Sequence, residues 1–351
     1  MTRLHTILLL FVVCLGLVTF EACKKNDVQL PGNGQVGTPL AFTIPAGWPA
    51  TAYNFDSNKI TKQGFELGRK LFYDGNLAKD GFTSCASCHQ QFAAFVTFDH
   101  DFSHGVNNTF TTRNATGLQN LAWTKNFMYD GGINHLDLQP LAPLTAPNEM
   151  GETITGVLQK LQADGKYRQM FTAAFGNDQI TTQRMTRALS QFILMMINNN
   201  SKYDRVMRNE ASFNLAESLG YKIFKSKCTN CHTEPLFTDN TFRNTGISIN
   251  MNIKDVGRMK VTNNPLDSLK FKVPSLRNVE VTAPYGHDGR FNNLDIVMEH
   301  YRSRVINGPT TDPLVKNGIS LSNFEIGQIK AFLYTLTDST YLTDKRFSAP
   351  Q

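Results

Sequence analysis

Apolar side chains recur at helical spacing in five stretches of this chain, while the two-residue alternation of strands is scarce. Phe65, Leu67, Leu71 and Phe72 mark the first stretch, over 64–72, and Leu215, Leu219, Ile223 and Phe224 mark another, over 215–224. Both contain a glycine (Gly68, Gly220), end on a Leu-Phe or Ile-Phe pair, and precede a cysteine cluster. They read as a weak internal repeat. Helices are also predicted over 154–163 and over 182–197, the latter with Leu189, Phe192, Ile193 and Met196 on one face. A last helix is predicted over 323–337, with Ile326, Ile329, Phe332, Leu333 and Leu336 in register. Ser322, with Glu325 three residues on, forms a capping box at its start. The remainder reads as loops.

The repeat leads twice to Cys-x-x-Cys-His, as Cys85, Cys88, His89 and as Cys228, Cys231, His232. This is the attachment signature of a c-type haem. The thiols bond to the haem vinyl groups and the histidine becomes the proximal iron ligand. Zinc knuckles or redox dithiols are the alternative, but zinc would want a second Cys/His pair near each motif, and the sequence has none there. Haem filling each core also accounts for the wealth of loops. The fold expected is all-α with little β-structure, in two cytochrome c-like domains that each carry one covalently bound haem. The first spans 51–205 and the second 206–351, with the boundary near Asn200 to Asn209.

A length of 351 residues suits two domains, and 41% hydrophobic residues suffice for their cores. The net charge of +6 is mild and no Lys/Arg run marks a nucleic-acid surface. Arg3 precedes an apolar run from Ile7 to Phe20, too short for a membrane span and typical of a signal peptide. Ala22 and Cys23 follow, which resembles a lipoprotein cleavage site, with an ordinary secretory leader as the alternative. Residues 1–22 are thus expected to be a leader, Cys23 a lipid anchor to the membrane, and the Gly- and Pro-containing segment 23–50 a flexible tether. The six cysteines are then spent: Cys14 in the leader, Cys23 at the anchor and four on haem. The location expected is the periplasmic face of a bacterial envelope.

Longer motifs carry a resemblance. Arg113-Asn114-Ala115, Tyr129-Asp130-Gly131-Gly132, Pro147-Asn148-Glu149-Met150, Phe271 to Asn278 and Thr282 to Gly289 occur in the order of the bacterial diheme cytochrome c peroxidases. The diheme enzyme of methylamine utilisation is a relative of these, and the resemblance covers about residues 60 to 340. It implies two-electron reduction of hydrogen peroxide at the first haem, on His89. The second haem, on His232, would receive electrons from a small cytochrome c or copper protein. Glu149 matches the distal acid/base, Gln139 the pocket glutamine and Pro143 a pocket proline. His104 matches a loop histidine that caps the resting peroxidatic iron, with His100 as its rival. Asn114, Thr282 and Pro284 match a calcium site, and hard oxygen ligands suit Ca²⁺. His287 is expected to support the haem or calcium region, and His135 and His300 to pack or face solvent. A homodimer is common in the family.

Two departures bear on function. Tyr129 stands where the family usually has an inter-haem tryptophan, and Trp123 lies six residues earlier. Tyr301 stands where classical peroxidases place a methionine as the sixth ligand of the second haem and where the methylamine-utilisation enzyme uses a tyrosine; Met298 competes from one helical turn away. The leading expectation is a cytochrome c peroxidase. The alternatives are oxidation of a protein or organic substrate through high-valent haem, and a non-catalytic diheme electron carrier.

Overall fold

The protein is described by a computed structural model, covering residues 36–351. The expected leader, Cys14, Cys23 and the first part of the tether lie outside the described residues. Eight helices of six or more residues order the described residues. They are α1 (Lys62–Tyr73), α2 (Ile154–Ala163), α3 (Gly165–Phe175), α4 (Thr182–Leu194), α5 (Lys202–Met207), α6 (Leu215–Lys227), α7 (Leu294–Glu299) and α8 (Asn323–Tyr334). Short 3-10 turns and loops fill the rest. Among the described residues, strands are confined to one antiparallel ladder, β1 (Phe242–Arg243) against β2 (Phe271–Lys272). No described helix is long and apolar enough to cross a membrane.

The internal repeat governs the packing. Thr61 caps α1 by accepting from Gly64 N, while Asn214–Glu217 and Ser322–Glu325 form capping boxes on α6 and α8. Helix α1 crosses α4 at Gly68, and α6 crosses α8 at Gly220. In each crossing the missing side chain admits a backbone carbonyl and a phenylalanine of the partner: Ala188 and Phe192 for Gly68, Gln328 and Phe332 for Gly220. Two hydrophobic clusters result. The first gathers Leu67, Leu71, Phe72, Leu189 and Phe192; the second gathers Phe224, Phe237, Phe332 and Leu333.

Three features add to the expectation. Helix α3 was not anticipated, although Asp164 caps its start and Gly176, in the left-handed conformation, ends it. The expected boundary near Asn200 to Asn209 is largely helix α5, with Tyr203 and Asp204 buried. The chain's end also returns to the first cluster, where Tyr341 and Phe347 are buried and Tyr73 donates to the Phe347 carbonyl at 2.6 Å. Residues 36–351 accordingly form one compact unit.

A buried polar seam ties the two clusters. Arg277 pairs with Asp204 at 2.8 Å, both side chains being almost fully buried. Gln119 donates to the Arg277 carbonyl at 2.6 Å and accepts from Asn278 at 2.7 Å. Asn198 and Asn120 exchange backbone and side-chain hydrogen bonds beside them.

The two crossings generate a stability prediction. A Cβ at Gly68 would lie 1.9 Å from the Ala188 oxygen, and one at Gly220 the same 1.9 Å from the Gln328 oxygen. Alanine favours helix over glycine by about 1 kcal/mol. Overpacking against backbone costs about 1–3 kcal/mol. Gly68→Ala and Gly220→Ala are each expected to lower the denaturant midpoint of the holoprotein; a raised midpoint in either would refute these close crossings.

Candidate haem sites

The two Cys-x-x-Cys-His segments are built alike. Cys85–Cys88 forms one helical turn after α1, capped by reciprocal bonds of Ser84 and Ser87, and Cys228 caps α6. His89 Nδ1 lies 2.8 Å from the Phe95 carbonyl, and His232 Nδ1 lies 3.1 Å from the Phe237 carbonyl. Both phenylalanines are fully buried and hold left-handed backbones, with φ of 62° and 55°. A non-glycine residue adopts that conformation only when its surroundings enforce it. Here it turns a carbonyl onto the histidine, fixing the tautomer with Nε2 free for a metal. Burial lowers the pKa of both histidines, so they stay neutral, the form that ligates iron. Burial pushes the Cys85 and Cys228 thiols up to about 12, which disfavours thiolate ligation of a metal. This donor set fits c-type haem at both positions.

The surroundings of the two histidines differ. A cavity of about 60 Å³ adjoins His89 and is lined by Cys85, Gln139, Pro143 and Glu149. Glu149 sits in the turn after a short helix at Leu141–Thr145, and its carbonyl accepts from Val106 N at 2.8 Å. Burial raises its carboxyl pKa. Gln139 contacts Met128 Sδ at 3.8 Å. A larger cavity of about 680 Å³ adjoins His232, within the usual range of about 300–1,000 Å³ for ligand and cofactor sites. Met298 and Tyr301 both line it. Tyr301 belongs to a five-residue π-turn, His300–Arg304, that continues α7. Such turns are frequent at functional sites. Burial, then the nearby Cys231 and Cys228, raise the Tyr301 phenol pKa. Gln139 and Leu118 line both cavities.

Other expected residues divide. Tyr129 and Trp123 both line the larger cavity. Tyr129 accepts from Lys272 N at 2.7 Å, and Trp123 donates to the Pro49 carbonyl at 2.8 Å. Asn114, Thr282 and Pro284 all line that same cavity. The Asn114 amide donates to the His100 and Asp101 carbonyls. His104 does not join the His89 cavity. A β-bridge to Phe110 turns its ring outward, where it is exposed and packs on Phe110 at 4.6 Å and near the exposed His100 at 5.3 Å. Only its backbone approaches the haem motif, with the carbonyl 3.9 Å from Cys88 Sγ. His300 is buried against the Thr245 carbonyl, and His135 accepts from Asp137 N. His287 is buried and stacked on Phe271 at 3.9 Å, with Nδ1 lacking a hydrogen-bond partner among the described residues.

Sequence reasoning passed over Arg113 as a structural ion. It bridges Asp130 at 2.7 Å and Asp255 at 2.6 Å, tying the two halves of the chain. Its place in a motif was visible, but not its partner 142 residues away.

Paired Cys-x-x-Cys-His cavities in one helical body define a diheme c-type cytochrome. The family described as di-haem cytochrome c peroxidase matches residues 62–212. Methylamine utilization protein MauG of Methylophilus methylotrophus is 31% identical over 293 residues, spanning 80% of this chain and 84% of that one. Cytochrome c551 peroxidase of Nitrosomonas europaea is 33% identical over 281 residues, spanning 78% and 79%. The crystal structure of a MauG-like protein associated with microbial copper homeostasis superposes with a TM-score of 0.80 at 30% identity, over 89% of this chain and 99% of that one. The chain belongs to the di-haem cytochrome c peroxidase family, which includes the MauG proteins, and is an oxidoreductase of that family.

Intact-mass spectrometry of the denatured holoprotein is expected to show two covalently held haems, and the Cys228→Ala/Cys231→Ala variant one. A single haem on the unaltered chain would contradict the paired sites.

Proposed function

We propose that the protein reduces hydrogen peroxide to water at the haem on His89, drawing two electrons through the haem on His232 from a small cytochrome c or copper protein. The observation that carries this reading is the cavity shared by His89, Glu149 and Gln139. Haem iron supplies peroxide binding and reduction; the protein supplies proton movement. Glu149 takes a proton from the near oxygen and returns one to the far oxygen, so that water leaves. Its raised pKa brings the base closer to the pH at which it works. The Gln139 amide orients the substrate oxygen. Tyr129 relays electrons between the haems, and its oxidation also releases a proton. Tyr301 would ligate the iron of the haem held by His232, and Asn114, Thr282 and Pro284 would hold Ca²⁺ through oxygen atoms. Export and a Cys23 anchor would put these reactions on the periplasmic face.

A second reading is oxidation of a protein or organic substrate with peroxide as oxidant. Tyr301 favours it, because an anionic oxygen ligand lowers a haem potential. The outward His104 also favours it, because such a site needs no reductive uncapping.

Glu149→Gln is expected to lower peroxide turnover about 10²–10⁴-fold with both haem spectra retained. Only the carboxylate accepts the proton, so turnover should fall as pH drops through the Glu149 pKa. That acid limb should lie above the ordinary carboxylate range and vanish in the variant. Steady-state peroxide assays check both; a variant that turns over at the unaltered rate refutes the assignment.

A further inference from the structure

Four cationic side chains line the cavity beside His232: Lys227, Arg243, Lys272 and Arg277. Three are matched by carboxylates. Lys227 pairs with Glu325 at 2.7 Å, Arg243 with Asp239 and Asp312 at 2.8 Å each, and Arg277 with Asp204 at 2.8 Å. Lys272 forms no ion pair among the described residues; its Nζ donates to the Asn126 carbonyl at 2.7 Å. Asp312 is the one carboxylate among the cavity-lining residues, and Arg243 holds it. Asp130, whose charge bears on Lys272, is held by Arg113 at 2.7 Å. Three of the four cations are therefore matched, and Lys272 alone among them has no direct ion-pair partner among the described residues.

That arrangement is costly for the protein alone, because a buried charge needs a partner. Burial pushes the Lys272 pKa down to about 8. The lysine is also firmly placed. It sits on β2 opposite Phe242, its backbone N–H donates to Tyr129, and two residues on the Pro274 carbonyl bears on the His232 ring. A carboxylate-bearing group in this cavity would match the unpaired ammonium, and c-type haem carries two propionates.

We propose that Lys272 binds a propionate of the haem attached at Cys228 and Cys231 and thereby raises that haem's reduction potential. A fixed positive charge favours the reduced form, which carries one more electron. The proposal rests on haem attachment and not on peroxide turnover.

The test compares holoprotein with Lys272→Met and Lys272→Arg by spectroelectrochemical titration of both haems. Lys272→Met is expected to shift the oxidised-to-reduced ratio of the His232 haem about tenfold toward oxidised, a fall of about 59 mV for one electron. Lys272→Arg should stay within about threefold, and the His89 haem should move less. An unchanged His232 potential in Lys272→Met overturns the proposal. If the methionine variant does not load haem, a crystal structure of the unaltered holoprotein decides: Nζ on a propionate oxygen supports it, and propionates paired elsewhere with Nζ on Asn126 alone overturn it. Loss of turnover in Glu149→Gln with this potential unmoved would separate the two assignments.

Discussion

Arg277 and Asp204 lie almost completely out of water, and neither tolerates that burial without the other. Removing one partner of such a pair strands the other charge, at a cost of about 3–5 kcal/mol. Around the pair, Gln119, Asn198 and Asn278 satisfy one another's polar atoms. Asp338 N donates to Asn278 and so starts the chain's return to the first cluster. Hydrogen bonds are directional in a way that apolar contact is not, so the seam sets one relation between the two clusters. Leu118, next to Gln119, lines both cavities. The wall between the two haem sites is thus anchored directly in the seam.

Within that frame, two nearly identical attachment units acquire different chemistry from their neighbours. The His89 cavity holds a buried carboxyl with no cation among the described residues that line it, and burial raises the pKa of Glu149. The His232 cavity holds one ammonium without an ion pair among the described residues, Lys272, with Tyr301 and Met298 one turn apart on its wall. A buried acid suits proton transfer beside one iron, and fixed positive charge suits holding electrons at the other. Family membership alone does not choose between peroxide reduction and substrate oxidation, since its relatives carry both names. The choice rests on these local environments.

Much of this was legible because it is local. The haem motifs, the helices before them and the Ser322–Glu325 box are encoded within a few residues of themselves. The Gly68 and Gly220 repeat was visible as a pattern, although its reason, a carbonyl from another helix, was not. Helix α3 escaped because its buried face is sparse, with Tyr167, Phe171 and Ala174 among polar neighbours. Its caps, Asp164 and Gly176, were signals that went unread. The left-handed Phe95 and Phe237 have no signature in residue type, because tertiary packing imposes that backbone. The outward ring of His104 depends on a bridge to Phe110, and the isolation of Lys272 depends on partners elsewhere in the chain claiming every nearby acid.

The central claim is that peroxide consumed at the His89 site is paid for by electrons entering through the His232 site. The direct measurement is steady-state oxidation of a reduced small c-type cytochrome by the holoprotein with limiting hydrogen peroxide. The account predicts sustained turnover with two equivalents of donor oxidised per peroxide. Peroxide loss with the donor left reduced would contradict it and point to oxidation of another substrate.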